Sequence, residues 1–289
     1  MRVVTGVREM QGIALGLRGE GRSIGFVPTM GYLHAGHLSL VKRARADCDV
    51  VVMSIFVNPL QFGPQEDFAI YPRDLERDLE LARPEGVDYV FVPDEKEMYP
   101  EGYSTYVEVA GPLTEKMCGR SRPGHFRGVA TVVMKLFQIV QPTRAYFGQK
   151  DAQQALVIKR MARDLNVPVE IVTCPIVREA DGLALSSRNV YLSPGEREAA
   201  RALPRALEAG RRLIFEGERD PQKVRKRILE VLASSPLIEV DYVEVCHGQT
   251  LAELLLLEGP VLLAAAVRVG KTRLIDNVYL EVGPCSEPC

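Results

Sequence analysis

The sequence predicts an α/β protein followed by a second, smaller α+β domain, and two observations carry that prediction. Over the first 175 residues, short apolar runs rich in β-branched and aromatic residues alternate with helical patterns. After residue 175 the grammar changes to helices followed by long runs joined through tight turns. Strands that alternate with helices imply a parallel sheet covered on both faces, a Rossmann-like arrangement.

In chain order the strand candidates of the first domain are residues 23–27 (SIGFV), 49–57 (DVVVMSIFV), 88–92 (DYVFV) and 144–148 (RAYFG). Leu38, Val41 and Ala44 recur at helical spacing after the first of them. Phe126, Val129, Val133, Leu136 and Val140 outline a helix over 125–140, and Val157, Met161 and Leu165 another over 151–165. The boundary falls at about residue 175, giving domains 1–175 and 176–289. In the second domain Ser193-Pro194-Gly195-Glu196 combines a capping residue, a proline at the first helical position and a glutamate that reaches back. A helix should start there and run past Leu203, Leu207 and Ile214, and Asp220-Pro221 should start another. Runs at 238–245, 260–269 and 272–282 read as strands, the last two forming a hairpin through Gly270-Lys271. VGKT within that hairpin mimics the end of a phosphate loop. It lacks the glycine five positions before Gly270, where Ala265 stands, and a strand follows it instead of a helix.

Composition narrows the function classes. Hydrophobic residues make up 46% and charged residues 26%, which suits a globular protein that needs no disulfide or structural metal. A formal charge of −2 supplies no net basic field, so nucleic acid is a poor partner. The opening MRVVTGVREMQGI has no signal-peptide core, and LAELLLLEGPVLLAAAV is broken by Glu258, Gly259 and Pro260. The expectation is a cytoplasmic protein without a membrane span. Six cysteines contain no C-x-x-C pair. Cys48, Cys174 and Cys246 should be buried thiols, and Cys285 and Cys289 frayed surface in a Gly/Pro-rich tail.

The chemistry concentrates in PTMGYLHAGH, residues 28–37, which holds two of only four histidines. A strand that runs into Met30-Gly31 and then a helix would put His34 and His37 in the helix's first turn. There, free backbone N–H groups and the helix dipole attract an anion, and imidazoles at i and i+3 add donors on one face. Gly31 and Gly36 would let a phosphate or nucleobase approach the backbone. A zinc site is the competing reading, but no glutamate lies between the histidines and no Cys or carboxylate set lies nearby at ligand spacing. Two other loops supply polar groups: FGQKDAQQ (147–154), with Lys150 at a strand's carboxyl end and Asp151 as a helix cap, and DGLALSSRN (181–189). Paired hydroxyls and a guanidinium on a mobile loop suit a triphosphate. In SIFVNPLQF (54–62), Asn58 and Gln61 should lie beside the histidine loop, either orienting a small substrate or bonding their own backbone.

Together PTMGYLHAGH, SIFVNPLQF, YPRD, FGQKDAQQ and VREADGLALSSRN, in this order and spacing, closely resemble the pantoate–β-alanine ligase family (the pantothenate synthetases) of the H-x-G-H nucleotidyltransferase superfamily. The resemblance runs over nearly the whole chain. It implies that pantoate's carboxylate attacks the α-phosphate of Mg-ATP, and that β-alanine's amine then attacks the pantoyl adenylate to release pantothenate and AMP. It implies an ATP site made of Met30, Gly31, Tyr32, Leu33, His34, Ala35, Gly36, His37, Gly148, Gln149, Lys150, Asp151, Val177, Leu185, Ser186, Ser187 and Arg188. Catalysis would rest on His34, His37, Lys150, Ser186, Ser187 and Arg188, with His37 as proton donor. Gln61 and Gln154, with Asn58, would hold pantoate, Gln61 would also meet β-alanine, and Asp78 would touch magnesium. Leu185 and Gln149 depart from the family's usual methionine and glutamate, and Arg77 stands where relatives can be acidic. A homodimer through the first domain is the implied assembly. A nucleotidyltransferase that stops at a nucleotide-linked product and a synthetase-like RNA-binding module are the alternatives.

Overall fold

The computed structural model describes residues 1–64 and 66–283, so Cys285 and Cys289 lie outside the described residues. The chain forms two compact units. The first contains Met1–Thr114, Cys118–Gln149 and Gln153–Pro175; the second contains Glu115–Met117, Lys150–Ala152 and the chain from Ile176 onward.

In the first unit six strands, β1 (Arg2–Val4), β2 (Ile24–Thr29), β3 (Val50–Ile55), β4 (Tyr89–Phe91), β5 (Arg144–Gly148) and β6 (Glu170–Cys174), form one sheet in the order β1-β4-β3-β2-β5-β6. Every neighbouring pair is parallel. The central strands are apolar throughout because both faces are covered. Ile24, Phe26, Val50 and Val52 face a core shared with Met10, Val129 and Leu136, whereas Val27, Val51 and Met53 face one shared with Leu33, Val41 and Ala44. The edge strands β1 and β6 escaped the sequence reading because β1 is three residues long and β6 is mostly half-buried, which leaves little apolar signal. The helix His125–Val140 occupies the predicted span, and the next one runs Ala152–Asp164 after a 3-10 turn at Gln149–Asp151. Leu165 falls beyond that helix and is exposed, so it is not part of the apolar stripe.

Sheet order decides where a ligand can sit. β2 pairs with β3 on one side and with β5 on the other, so the connections leaving its carboxyl end reverse direction there. Such a switch point opens a crevice above the strand ends. Residues 30–37, 56–61 and 148–149 all leave the sheet at the carboxyl ends of these three adjacent strands.

The second unit has an antiparallel sheet of β7 (Ile238–His247), β8 (Gly259–Val269) and β9 (Thr272–Val282). The β8–β9 turn contains Gly270 at φ +57° and leads into a strand, as expected of a hairpin and not of a phosphate loop. Ser193 and Glu196 form the predicted capping box. The single helix expected to follow is in fact two, Pro194–Ala200 and Ala202–Phe215. Pro204 is the physical reason: it lacks the N–H that would bond the carbonyl of residue 200, and its ring crowds that carbonyl. Leu203, Leu207 and Ile214 still enter the core with Val224, Ile228 and the inner face of the sheet.

Gly128 ties the fold to the strand-end crevice. A Cβ there would lie 2.2 Å from the Leu60 carbonyl oxygen and 2.6 Å from the Gln61 nitrogen, so only glycine lets the helix His125–Val140 press against the turn Pro59–Gln61. Gly128→Ala is expected to cost about 1–3 kcal/mol, read as a lower urea midpoint. An unchanged midpoint would show that the turn yields freely.

Candidate active site

The turn after β2 is built by strain and a compensating carboxylate. Gly31 and Tyr32 are both left-handed, at φ +81° and +50°. A Cβ on Gly31 would lie 2.9 Å from the Asp78 carboxylate, so glycine is required by space as well as by conformation. Asp78, only 1% exposed, accepts the N–H of Tyr32 at 2.7 Å and of Leu33 at 2.6 Å. Burial raises its pKa, against the downward pull of those two donors. Gly31 N–H donates to Thr29 Oγ1, which itself donates to the Ser54 carbonyl and so fastens the turn to β3. Leu33 is completely buried, and its side chain packs into the core with Val27, Val41 and Met53. Arg77 lies over the Tyr32 ring at 4.9 Å.

His34 is the cap of the helix Ala35–Asp47, one residue outside the first turn where the sequence reading put it. Its Nδ1 accepts the Gly36 N–H at 3.2 Å, and His37 Nδ1 accepts the His34 N–H at 3.4 Å. The two imidazoles therefore form a reciprocal capping box, with rings stacked 4.0 Å apart. With both Nδ1 atoms accepting, the neutral rings carry their protons on Nε2. Both histidines are only half-buried. The capping role was invisible in the sequence, where histidine is not among the residues that usually cap.

Beside this turn, Asn58 is 1% exposed and its amide is fully used. Its Oδ1 accepts from the Tyr99 hydroxyl and the Leu60 N–H, and its Nδ2 donates to the Gly128 carbonyl and to Gln61 Oε1. Gln61 Nε2 in turn reaches Met30 Sδ at 3.1 Å. The Gln61 carbonyl is gripped as well, by Arg122 Nη2 at 3.3 Å and His125 Nδ1 at 2.9 Å. Arg122 forks onto Glu66 with two bonds of 2.6 Å. Burial raises the Glu66 pKa, but the Arg122 fork outweighs it and leaves the carboxyl below its ordinary range. Tyr99, Glu66, Arg122 and His125 were not anticipated, because they reach Gln61 only through tertiary contacts. Gln154 is half-buried, while its neighbour Gln153 is buried and spends its amide on the Cys118 N–H and the Leu113 carbonyl. Gly148 and Gln149 follow at the end of β5.

The remaining candidates, Lys150, Asp151, Val177, Leu185, Ser186, Ser187 and Arg188, belong to the second unit. The Leu185 N–H donates to the Val177 carbonyl at 3.0 Å. Ser186 caps a 3-10 turn, Ser187–Tyr191, through its hydroxyl. Within this segment Asn189 donates to Glu179 and to the Ala184 carbonyl, and Arg197 bridges Glu179 and Asp181. Ala35 is exposed, and Lys150 keeps its side chain 23% exposed.

Known proteins share this fold. The family model described as Pantoate-beta-alanine ligase matches residues 2–279. The chain belongs to the pantoate–β-alanine ligase family. A pantothenate synthetase of Acetivibrio thermocellus is 59% identical over 98% of this chain and 100% of its own length. A Thermus thermophilus pantothenate synthetase structure superposes with a TM-score of 0.93 at 52% identity, covering 98% of this chain and 100% of that one. The Francisella tularensis pantoate–β-alanine ligase, solved with beta-gamma ATP and β-alanine, gives 0.78 at 36% identity, covering 96% and 97%. Pantoate–β-alanine ligase membership thus accounts for the combination of a parallel sheet with a small antiparallel one.

Asp78→Asn should expose the debt held in the turn. An amide can accept only one of the two N–H groups and turns a donor toward the other, so the expected loss is about 1–3 kcal/mol, measured by urea unfolding. Wild-type stability in this variant would mean that the carboxylate does not hold the turn.

Proposed function

We infer that this chain joins pantoate to β-alanine, with ATP converted to AMP and pyrophosphate through a pantoyl adenylate. The observation that carries the reading is the end-to-end correspondence with pantoate–β-alanine ligases, including one solved with beta-gamma ATP and β-alanine. In the first step negative charge builds on the α-phosphate and the departing pyrophosphate, so fixed donors aimed at those oxygens lower the barrier most. The Nε2–H groups of His34 and His37 serve as such donors, with their Nδ1 atoms already held by backbone N–H groups. Lys150, Ser186, Ser187 and Arg188 supply the rest of the phosphate contacts, and Met30 to His37, Gly148 to Asp151, Val177 and Leu185 line the nucleotide. Val177 and Leu185 are joined through backbone, which makes leucine in place of the family's methionine harmless there.

Gln61 and Gln154 receive pantoate's hydroxyl and carboxylate groups, and Gln61 also meets β-alanine. Asn58 contributes by fixing the Gln61 amide, because its own donors and acceptors are consumed. Attack of the β-alanine amine on the acyl carbon then releases AMP, and no covalent enzyme intermediate is needed. Magnesium enters as Mg-ATP. Asp78 is enclosed, and its two carboxylate oxygens already accept the Tyr32 and Leu33 N–H groups. The ion is therefore carried on phosphate oxygens and water. The enzyme works in the cytoplasm as a homodimer through the first unit; among the described residues no helix is long and apolar enough to cross a membrane.

The direct test is release of pyrophosphate and AMP from Mg-ATP. Pyrophosphate release should require pantoate, and sustained AMP and pantothenate should require β-alanine as well. Absence of pantoate-dependent turnover in folded protein would sink the reading, and a stable nucleotide-linked product would make it a plain nucleotidyltransferase. His37→Ala should slow adenylate formation about 10²–10³-fold. Gln61→Ala should instead raise the pantoate KM about 10- to 100-fold with the ATP KM nearly unchanged. Normal pantoate affinity in the second variant would remove Gln61 from the pantoate site.

A further inference from the structure

β9 holds two segments of the second unit whose roles both concern phosphate. Lys150–Ala152 belongs to that unit even though Gln149 and Gln153, on either side, belong to the first. A side-chain bond marks the attachment: Asn277, 3% exposed, donates from Nδ2 to the Lys150 carbonyl at 2.9 Å. The preceding residue does the corresponding work for the other segment. Asp276, 2% exposed, accepts a guanidinium fork from Arg178 at 2.7 and 3.0 Å, and its Oδ1 also accepts the Asn277 N–H. Arg178 continues to the Gly182 carbonyl, and its backbone pairs with Ala184, just before the serines. β9 also packs directly on the turn Ser187–Tyr191.

We propose that Asn277 is a positioning residue for adenylation: by fixing the Lys150 carbonyl to β9 it sets the lysine in register with the Ser186–Arg188 turn, so one strand carries both as a single phosphate clamp. This rests on the reading of Lys150 as a phosphate contact. The physical need is plain. Lys150 stands in a three-residue 3-10 turn, whose internal hydrogen bonds are poor and whose orientation depends on outside partners. Donors that stabilise a transition state lose most of their effect when displaced by about 1 Å, on the order of 10²-fold in rate. A buried amide that donates to that carbonyl restrains the displacement.

The test is a double-mutant cycle on Asn277→Ala and Lys150→Ala, with pantoate-dependent pyrophosphate formation followed in a single turnover at saturating ATP and folding verified by thermal melting. Asn277→Ala should slow adenylation about 10- to 100-fold while the pantoate KM stays within about twofold. In the Lys150→Ala background the same substitution should have almost no further effect, because the group it positions is gone. A simple structural role would instead give additive losses, or a loss shared by the pantoate KM, and either would overturn the proposal. So would a wild-type rate in Asn277→Ala alongside a crippled Lys150→Ala. Wild-type adenylation in Lys150→Ala would overturn the reading of the lysine itself, and the proposal with it. If Asn277→Ala does not fold, Asn277→Ser, which keeps a polar group too short to reach the carbonyl, replaces it in the cycle and must show the same dependence on Lys150.

Discussion

The first unit depends on one carboxylate meeting two backbone N–H groups. Asp78 reaches across 46 and 45 residues of sequence to bond Tyr32 and Leu33, and those bonds stabilise a turn that contains a non-glycine residue in the left-handed region. Left-handed backbone at a tyrosine persists only where surrounding contacts over-determine it. The consequence is directional. With the turn fixed, the chain leaves β2, reverses, and presents the cap of the next helix at the carboxyl end of the sheet, where switch-point crevices form.

The same economy appears in the histidines. A capping residue satisfies an orphan N–H, and a phosphate donor must aim an N–H outward; an imidazole can do both because its two nitrogens take opposite roles. His34 and His37 use Nδ1 inward as acceptors, which assigns Nε2 as donor without any further residue. Aspartate could cap this helix but, ionised, would leave no donor, and a serine hydroxyl keeps its donor on a much shorter arm than an imidazole. On the proposed reading of His34 and His37 as phosphate donors, one residue type meets both the constraint on the helix start and the requirement of the chemistry.

Around Gln61 the pattern is convergence from separate elements. Asn58 and Met30 hold its amide, and Arg122 and His125 hold its carbonyl. Gly128 admits the helix close enough for this to happen. On the reading that Gln61 receives pantoate, ordering its several rotatable bonds before substrate arrives removes an entropic cost that binding would otherwise bear.

Local patterns were enough to place the central strands, the helix over residues 125–140, the capping box at Ser193 and the β8–β9 hairpin, because each is written in residues close together in sequence. Motif order was enough to point to the family. The edge strands β1 and β6, the helix break before Pro204 and the inward role of Asn58 needed the structure. Edge strands carry weak apolar signal, and an amide's lone pairs are assigned only when its neighbours are known. Asp78 is the clearest case. Its sequence context marks it only as acidic, and its enclosure beneath the histidine turn is a fact about residues 46 positions apart, which no local pattern encodes.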